Sequence, residues 1–251
     1  MNVFKNFILR NTPVENTPIF QTPALNYAEV IDALERTTYG SILIIDFQTS
    51  RFEYISDSPI FLDGHSAAEI REIGCEIYDK YVLKADLNLL LKVNALAFEY
   101  YDNLPVDERK NQTISYDFHI KNHSGTLLLL NQKLTPLLLT ASGKIWKAIC
   151  TVSLSAEREA GNFQVYKKGS NRVLKYNLEG NFWKTDEKIK LTTREKEILQ
   201  LSLSGYSISE IAAAAFISPD TVKFHRKTLF NKLEVNNITA AIISANNNRL
   251  I

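Results

Sequence analysis

The chain is predicted to fold as an α+β domain on a five-stranded antiparallel sheet with helices, followed by an all-α four-helix domain. Three observations predict this. A strand pair, Ser41–Asp46 and Arg51–Ser56, comes early and is separated by a run of helical spacing from three later strands between residues 114 and 154. The first of these, Ile114-Ser115-Tyr116-Asp117-Phe118-His119-Ile120-Lys121, alternates strictly, as a half-buried antiparallel strand does. Beyond Leu191 the pattern becomes a succession of helices, each opened by its own capping residue.

Residues 1–25 hold Thr12-Pro13, Thr17-Pro18 and Thr22-Pro23. Proline fixes φ and removes a donor, so an extended arm is expected there. Residues 26–155 form the α+β domain. Ala28, Ile31 and Leu34 lie at helical spacing, and Gln48-Thr49-Ser50 turns the first strand into the second. Short helices are expected over residues 57–80, and a longer one over Lys84–Tyr100 with Leu87, Leu90, Leu91 and Phe98 available for its buried face. Asn122–Gly125 and Thr140–Gly143 are the turns that lead into Leu127–Thr135 and Ile145–Leu154. Residues 156–190 are charged and contain Gly161, Gly169 and Gly180; they are expected as a connector with a β-hairpin around Lys168–Asn171.

The composition is that of a globular protein: 45% hydrophobic, 23% charged, net charge +1. Any affinity for nucleic acid must therefore come from a local basic surface. Two cysteines, Cys75 and Cys150, make neither a disulfide framework nor a four-cysteine zinc site. The start of the chain does not read as a secretory signal, and the most apolar stretch, Leu127–Leu139, is broken by Asn131, Gln132, Lys133 and Pro136. These features predict a cytoplasmic protein with no membrane role.

Residues 191–251 carry the strongest signals. Thr192 and Glu195 form a capping box, Gly205 ends the first helix in the left-handed region, and Ser207 with Glu210 forms a second box. Ser218 caps the third helix, with Pro219 at its first turn. In that helix Val222, Leu229 and Leu233 share one side with His225 or Arg226, while Asp220, Lys223, Phe224, Lys227 and Asn231 show on the other. From Pro219 to Leu233 four basic residues stand against one acid. A basic, solvent-facing helix behind a short turn suits the major groove, and Phe224 suits a thymine methyl. A fourth helix is expected over Thr239–Asn246.

The run Leu191-Thr192-Thr193-Arg194-Glu195, Gly205, Ile211-Ala212, Ile217-Ser218, Thr221-Val222-Lys223, His225 and Lys232-Leu233 resembles the LuxR-type helix-turn-helix domain. The resemblance implies a four-helix domain that binds double-stranded DNA through its third helix and dimerises through its last. It carries base contacts onto Lys223, Phe224 and Lys227, and backbone contacts onto Ser218, Thr221, His225 and Arg226. The sequence departs from the pattern at Ala213-Ala214-Ala215-Phe216, where a leucine commonly precedes Ile-Ser; Phe216 is expected to fill that space.

The order of strands and helices over residues 27–155, with Asp46 closing the first strand and Leu83–Leu87 opening the long helix, resembles a PAS domain. That implies a sensor or dimerisation module with an unidentified small ligand between sheet and helices. No cofactor signature is readable and no cofactor is assigned. His65, His119 and His123 are the histidines a haem would use, yet His119 and His123 read as surface residues and His65 as a helix-start residue. Cys75 reads as a small buried hydrophobe, and Trp146 and Trp183 as packing. Asp86 and Asp117 stand isolated, no metal cluster is readable, and no nucleophile–base pair supports an enzyme. The expected whole is a homodimeric transcriptional regulator. Three other readings differ in input or class. A quorum-sensing regulator for an acyl-homoserine lactone needs early tryptophans that residues 1–145 lack. A phosphorylated receiver needs strand–helix alternation that residues 114–154 contradict. A PAS interaction module or sensory enzyme without a DNA role finds no catalytic output domain in the sequence.

Overall fold

The computed structural model describes residues 27–250 except 39, 58, 63, 123 and 249. The Thr-Pro arm and His123 lie outside them. The described residues divide into two compact units, one of residues 27–154 with 159–186, the other of residues 155–158 with 187–250.

The first unit begins with helix α1 (Tyr27–Glu35) and strands β1 (Ser41–Asp46) and β2 (Arg51–Ile55). Five helices follow: α2 (Pro59–Leu62), α3 (Ala67–Ile73), α4 (Glu76–Tyr81), α5 (Lys84–Asp102) and α6 (Val106–Arg109). Strands β3 (Gln112–Lys121), β4 (Leu127–Leu139) and β5 (Ile145–Leu154) come next. They pair antiparallel in the order β2-β1-β5-β4-β3, with the helices inserted between β2 and β3, an arrangement that resembles the PAS fold. The continuous apolar run of β1 is explained by burial on both faces. Leu43 and Ile45 join the main core with the helices, while Ile42 and Ile44 join Ile31 of α1 and Tyr54 in a second cluster.

The sheet does not stop at five strands. The segment expected as a connector adds β6 (Gly161–Lys167), β7 (Arg172–Asn177) and β8 (Phe182–Glu187), which makes eight strands in the order β2-β1-β5-β4-β3-β6-β7-β8. The expected hairpin is present as β6 and β7, but β6 also pairs with β3, Ile114 opposite Val165. The physical reason lies in β3. Ile114, Tyr116, Phe118 and Ile120 all enter the core, and without β6 this central apolar strand would end in a row of unpaired N–H and C=O groups. Phe163 and Val165 also enter that core, and Trp183 of β8 packs on Phe163, Tyr176 and Tyr100 at ring separations of 5.3, 4.9 and 5.5 Å.

The polar phase of β3 departs from expectation. Ser115 and Asp117 are buried rather than solvated, and the Asn131 amide on β4 donates to both, at 3.0 and 2.9 Å. Nor is His119 a free surface histidine or Asp86 isolated. The Asp86 carboxylate at the start of α5 accepts from the His119 backbone N–H at 2.7 Å and lies 2.8 Å from His119 Nδ1. With Leu83 N donating to His119 O and the Val82–Ile120 bridge, this ties the start of α5 to β3. His65 precedes the α3 cap Ser66 and hydrogen-bonds Tyr81 Oη. Cys75 and Cys150 are buried and are not joined in a disulfide.

The second unit holds helices α7 (Thr193–Leu203), α8 (Ile208–Ala214), α9 (Pro219–Leu233) and α10 (Ile238–Asn247). Both expected capping boxes are closed, Thr192 with Glu195 and Ser207 with Glu210. No described helix is long and apolar enough to cross a membrane. The central role of β6 carries a test. Phe163→Ala is expected to cost about 3–5 kcal/mol in the denaturant-unfolding free energy of the first unit, as for a core position and unlike a connector.

Candidate nucleic-acid interface

Helix α9 has a committed side and an open side. Val222 packs with Ile198, Ile211 and Ala212, while Leu229 and Leu233 pack with Leu199, Ala241 and Ala245. One stripe thus enters two apolar clusters and holds α9 against the three other helices. On the opposite side Lys223, Phe224 and Lys227 are exposed, Phe224 by 66%. His225 and Arg226 are half-buried at the margin, with the Arg226 guanidinium 5.8 Å from the Phe230 ring and the His225 ring 5.7 Å from Phe224.

The start of α9 is closed by Ser218, whose Oγ accepts from Thr221 N at 3.1 Å and lies 2.8 Å from Thr221 Oγ1. Pro219 occupies the first turn, where its missing N–H removes nothing. The Lys223 ammonium donates to Asp220 at 2.9 Å, an exposed pair one turn apart. Such a pair contributes little, so Asp220 holds the lysine without fixing it.

The fourth basic residue of α9 is withdrawn from this face. Lys232 donates to the Glu195 carboxylate of α7 at 2.8 Å, where Glu195 is only 3% exposed. Burial disfavours the Glu195 charge, but the Lys232 ammonium and the Thr192 backbone N–H and hydroxyl outweigh it and hold the carboxyl below its ordinary range. The charge that faces outward is therefore Lys223, Arg226 and Lys227 against Asp220. Charge counting along the sequence does not reveal this, because the pair spans 37 positions.

The turn before α9 brings a correction. Phe216 fills no space; it is 94% exposed, at φ +53°. Ala215 is buried and Ile217 half-buried against the Ile198 cluster, so their side chains occupy the interior at this turn. The reason is the helix ending. Ile217 N donates back to Ala212 O at 3.0 Å and Phe216 N to Ala213 O at 3.3 Å, a Schellman ending that puts its left-handed residue on the outside. Helix α7 ends the same way, with Tyr206 N bonded to Leu201 O, and there glycine, Gly205, takes φ +85°. Arg194 further fastens the turn, its Nη1 donating to Glu197 at 2.7 Å and to Ala215 O at 3.1 Å. In the sequence Arg194 and Lys232 stand only in the run that resembles the family and, for Lys232, in the charge of α9; the Ala215 carbonyl and the Glu195 carboxylate become their partners only when the helices pack.

Comparison with known proteins bears on this unit. The sequence model of the bacterial regulatory proteins of the luxR family matches residues 190–245. The chain is 47% identical over 70 residues to the probable csgAB operon transcriptional regulatory protein of Salmonella typhimurium, covering 28% of this chain and 32% of that one. It is 49% identical over 61 residues to the response regulator protein VraR of Staphylococcus aureus, covering 24% and 29%. The match thus spans about a third of these relatives' own length. Among solved structures, the Vibrio cholera VqmA–ligand–DNA complex aligns over 91% of this chain and 90% of its own at 20% identity, with a TM-score of 0.36.

Two outcomes follow for the second unit. Because the Glu195 carboxyl is held below its ordinary value of 4.5, its ionised form adds stability above that pH, and the contribution is lost as pH falls through the depressed value. Glu195→Gln should cost about 1–3 kcal/mol at neutral pH and flatten that acid limb in thermal melts. Phe216→Gly should raise stability by about 0.5–1 kcal/mol, the relief of a left-handed bulky residue less the added freedom of the unfolded chain.

Proposed function

We propose, from the premise that residues 190–245 are a LuxR-family helix-turn-helix domain, that this chain is a sequence-specific DNA-binding transcriptional regulator. The observation that carries the reading is the two-sided α9: a buried stripe of Val222, Leu229 and Leu233, and an exposed one of Lys223, Phe224 and Lys227. In this reading α9 enters the major groove. Lys223 and Lys227 donate to base edges, and Phe224 meets a thymine methyl. Ser218, Thr221, His225 and Arg226 engage the phosphate strand at its margin. Helix α10 supplies the dimer contact, so two copies read two half-sites.

We assign the PAS-like unit the regulatory role, as a small-molecule sensor or a dimerisation module, and give the chain a cytoplasmic location and no catalytic role. Two features support the sensor role without naming a ligand. The space between sheet and helices holds buried polar groups, with Tyr78 Oη donating to Gln132 Oε1 at 2.9 Å, and a small apolar recess is lined by Phe61, Ile77, Tyr78, Tyr81, Val82 and Ile120. The strands that follow residue 155 belong to this unit in our reading, so its working boundary lies near residue 187.

The test uses duplexes that the full chain selects from a random library. Lys223→Ala is expected to weaken binding by about 1–3 kcal/mol and relax sequence preference, and Arg226→Ala to weaken all duplexes alike and reduce the log–log salt slope by about 0.9. Unchanged affinity after joint Lys223→Ala and Lys227→Ala substitution would sink this assignment.

A further inference from the structure

We propose that Phe216 is itself a DNA contact: its ring packs on the deoxyribose of the strand at the edge of the groove that α9 enters. The inference rests on the reading of α9 as the recognition helix and adds a residue outside that helix.

Four observations carry it. Phe216 is 94% exposed, against 66% for Phe224 within the reading face. It stands at φ +53°, a conformation that penalises a bulky side chain. The chain had a strain-free solution for the same ending, since α7 uses Gly205 there. A full aromatic surface is therefore kept in water on a strained residue, a combination that points to a contact made only in a complex. The turn is also rigid. Ala215 O is held by Arg194, Ile217 N by Ala212 O, and Thr221 N by Ser218 Oγ, so the backbone that carries the ring is held from both sides.

Position selects the partner. Phe216 lies two residues before Ser218, the cap of α9. When a recognition helix docks, its first residues approach the bases and the turn ahead of it meets the strand that borders the groove. Ser218 and Thr221 offer hydroxyls there, and Arg226 brings positive charge, all of which suit phosphate. A phenyl ring cannot take a phosphate. The apolar surface joined to that phosphate is the sugar, and every nucleotide presents it. Phe216 should therefore add affinity without adding sequence preference, in contrast to Phe224.

The experiment measures the full chain on two duplexes, one selected by it from a random library and one of the same composition scrambled. Phe216→Gly preserves the turn, and its thermal melt verifies the fold. Binding should weaken about five- to tenfold on both duplexes with the salt slope unchanged, as expected for lost apolar burial rather than lost charge. Phe216→Leu should recover part of the loss. Unchanged affinity on both duplexes, with Lys223→Ala still weakening binding, overturns this inference alone and leaves the ring to a protein partner. A loss confined to the selected duplex also overturns it, since the contact would then be to a base. If the unaltered chain binds neither duplex, the reading of α9 and this inference fall together.

Discussion

The Glu195 carboxylate organises the second unit. It closes the cap of α7 by accepting from Thr192 N at 2.7 Å, and it holds Lys232 at the far end of α9 at 2.8 Å. One buried anion thus fixes where α7 begins and where α9 lies against it. A charge at 3% exposure is tolerable only because its oxygens are occupied by an ammonium and a helix-capping N–H. Leu229 and Leu233 then pack with Leu199, and Val222 with Ile198, in the register that this pair sets. The open face of α9 is a consequence: the residues that turn inward decide which residues remain outside.

The same logic governs the turn between α8 and α9. Three backbone donors, from Phe216, Ile217 and Thr221, are satisfied within a few residues, and Arg194 reaches across from α7 to the Ala215 carbonyl. The turn sets the angle at which α9 leaves α8, and a loosely tied turn would spread that angle. Strain at Phe216 is the cost of closing α8 by this route with a side chain attached. Local geometry and the direction of α9 are therefore parts of one constraint.

In the first unit the governing constraint is the edge of β3. Its core-facing residues make it a central strand, so something must pair its free side, and β6 does so. The aromatic group of Tyr100, Phe163, Tyr176 and Trp183 then covers the extension. Burial of Ser115 and Asp117 follows the same principle as burial of Glu195: polar groups enter where a partner, here the Asn131 amide, is waiting.

Much of this was legible beforehand. The capping boxes at Thr192 and Ser207, the left-handed Gly205 and the buried stripe of α9 are local features, written in residues three or four positions apart, and each stands where the pattern put it. So do the alternating strand at Ile114–Lys121 and the long helix from Lys84. The sequence alone determined these elements, their types and the side of α9 that packs, because periodicity and capping act within one or two turns of chain. Only the tertiary structure decided that residues 161–187 extend the sheet, that Asp86 ties to His119, that Lys232 belongs to Glu195 and not to the basic face, and that Phe216 points outward. Each of these depends on groups that meet through packing or through the three-dimensional course of a helix ending, and no spacing along the chain encodes which partner a side chain will find.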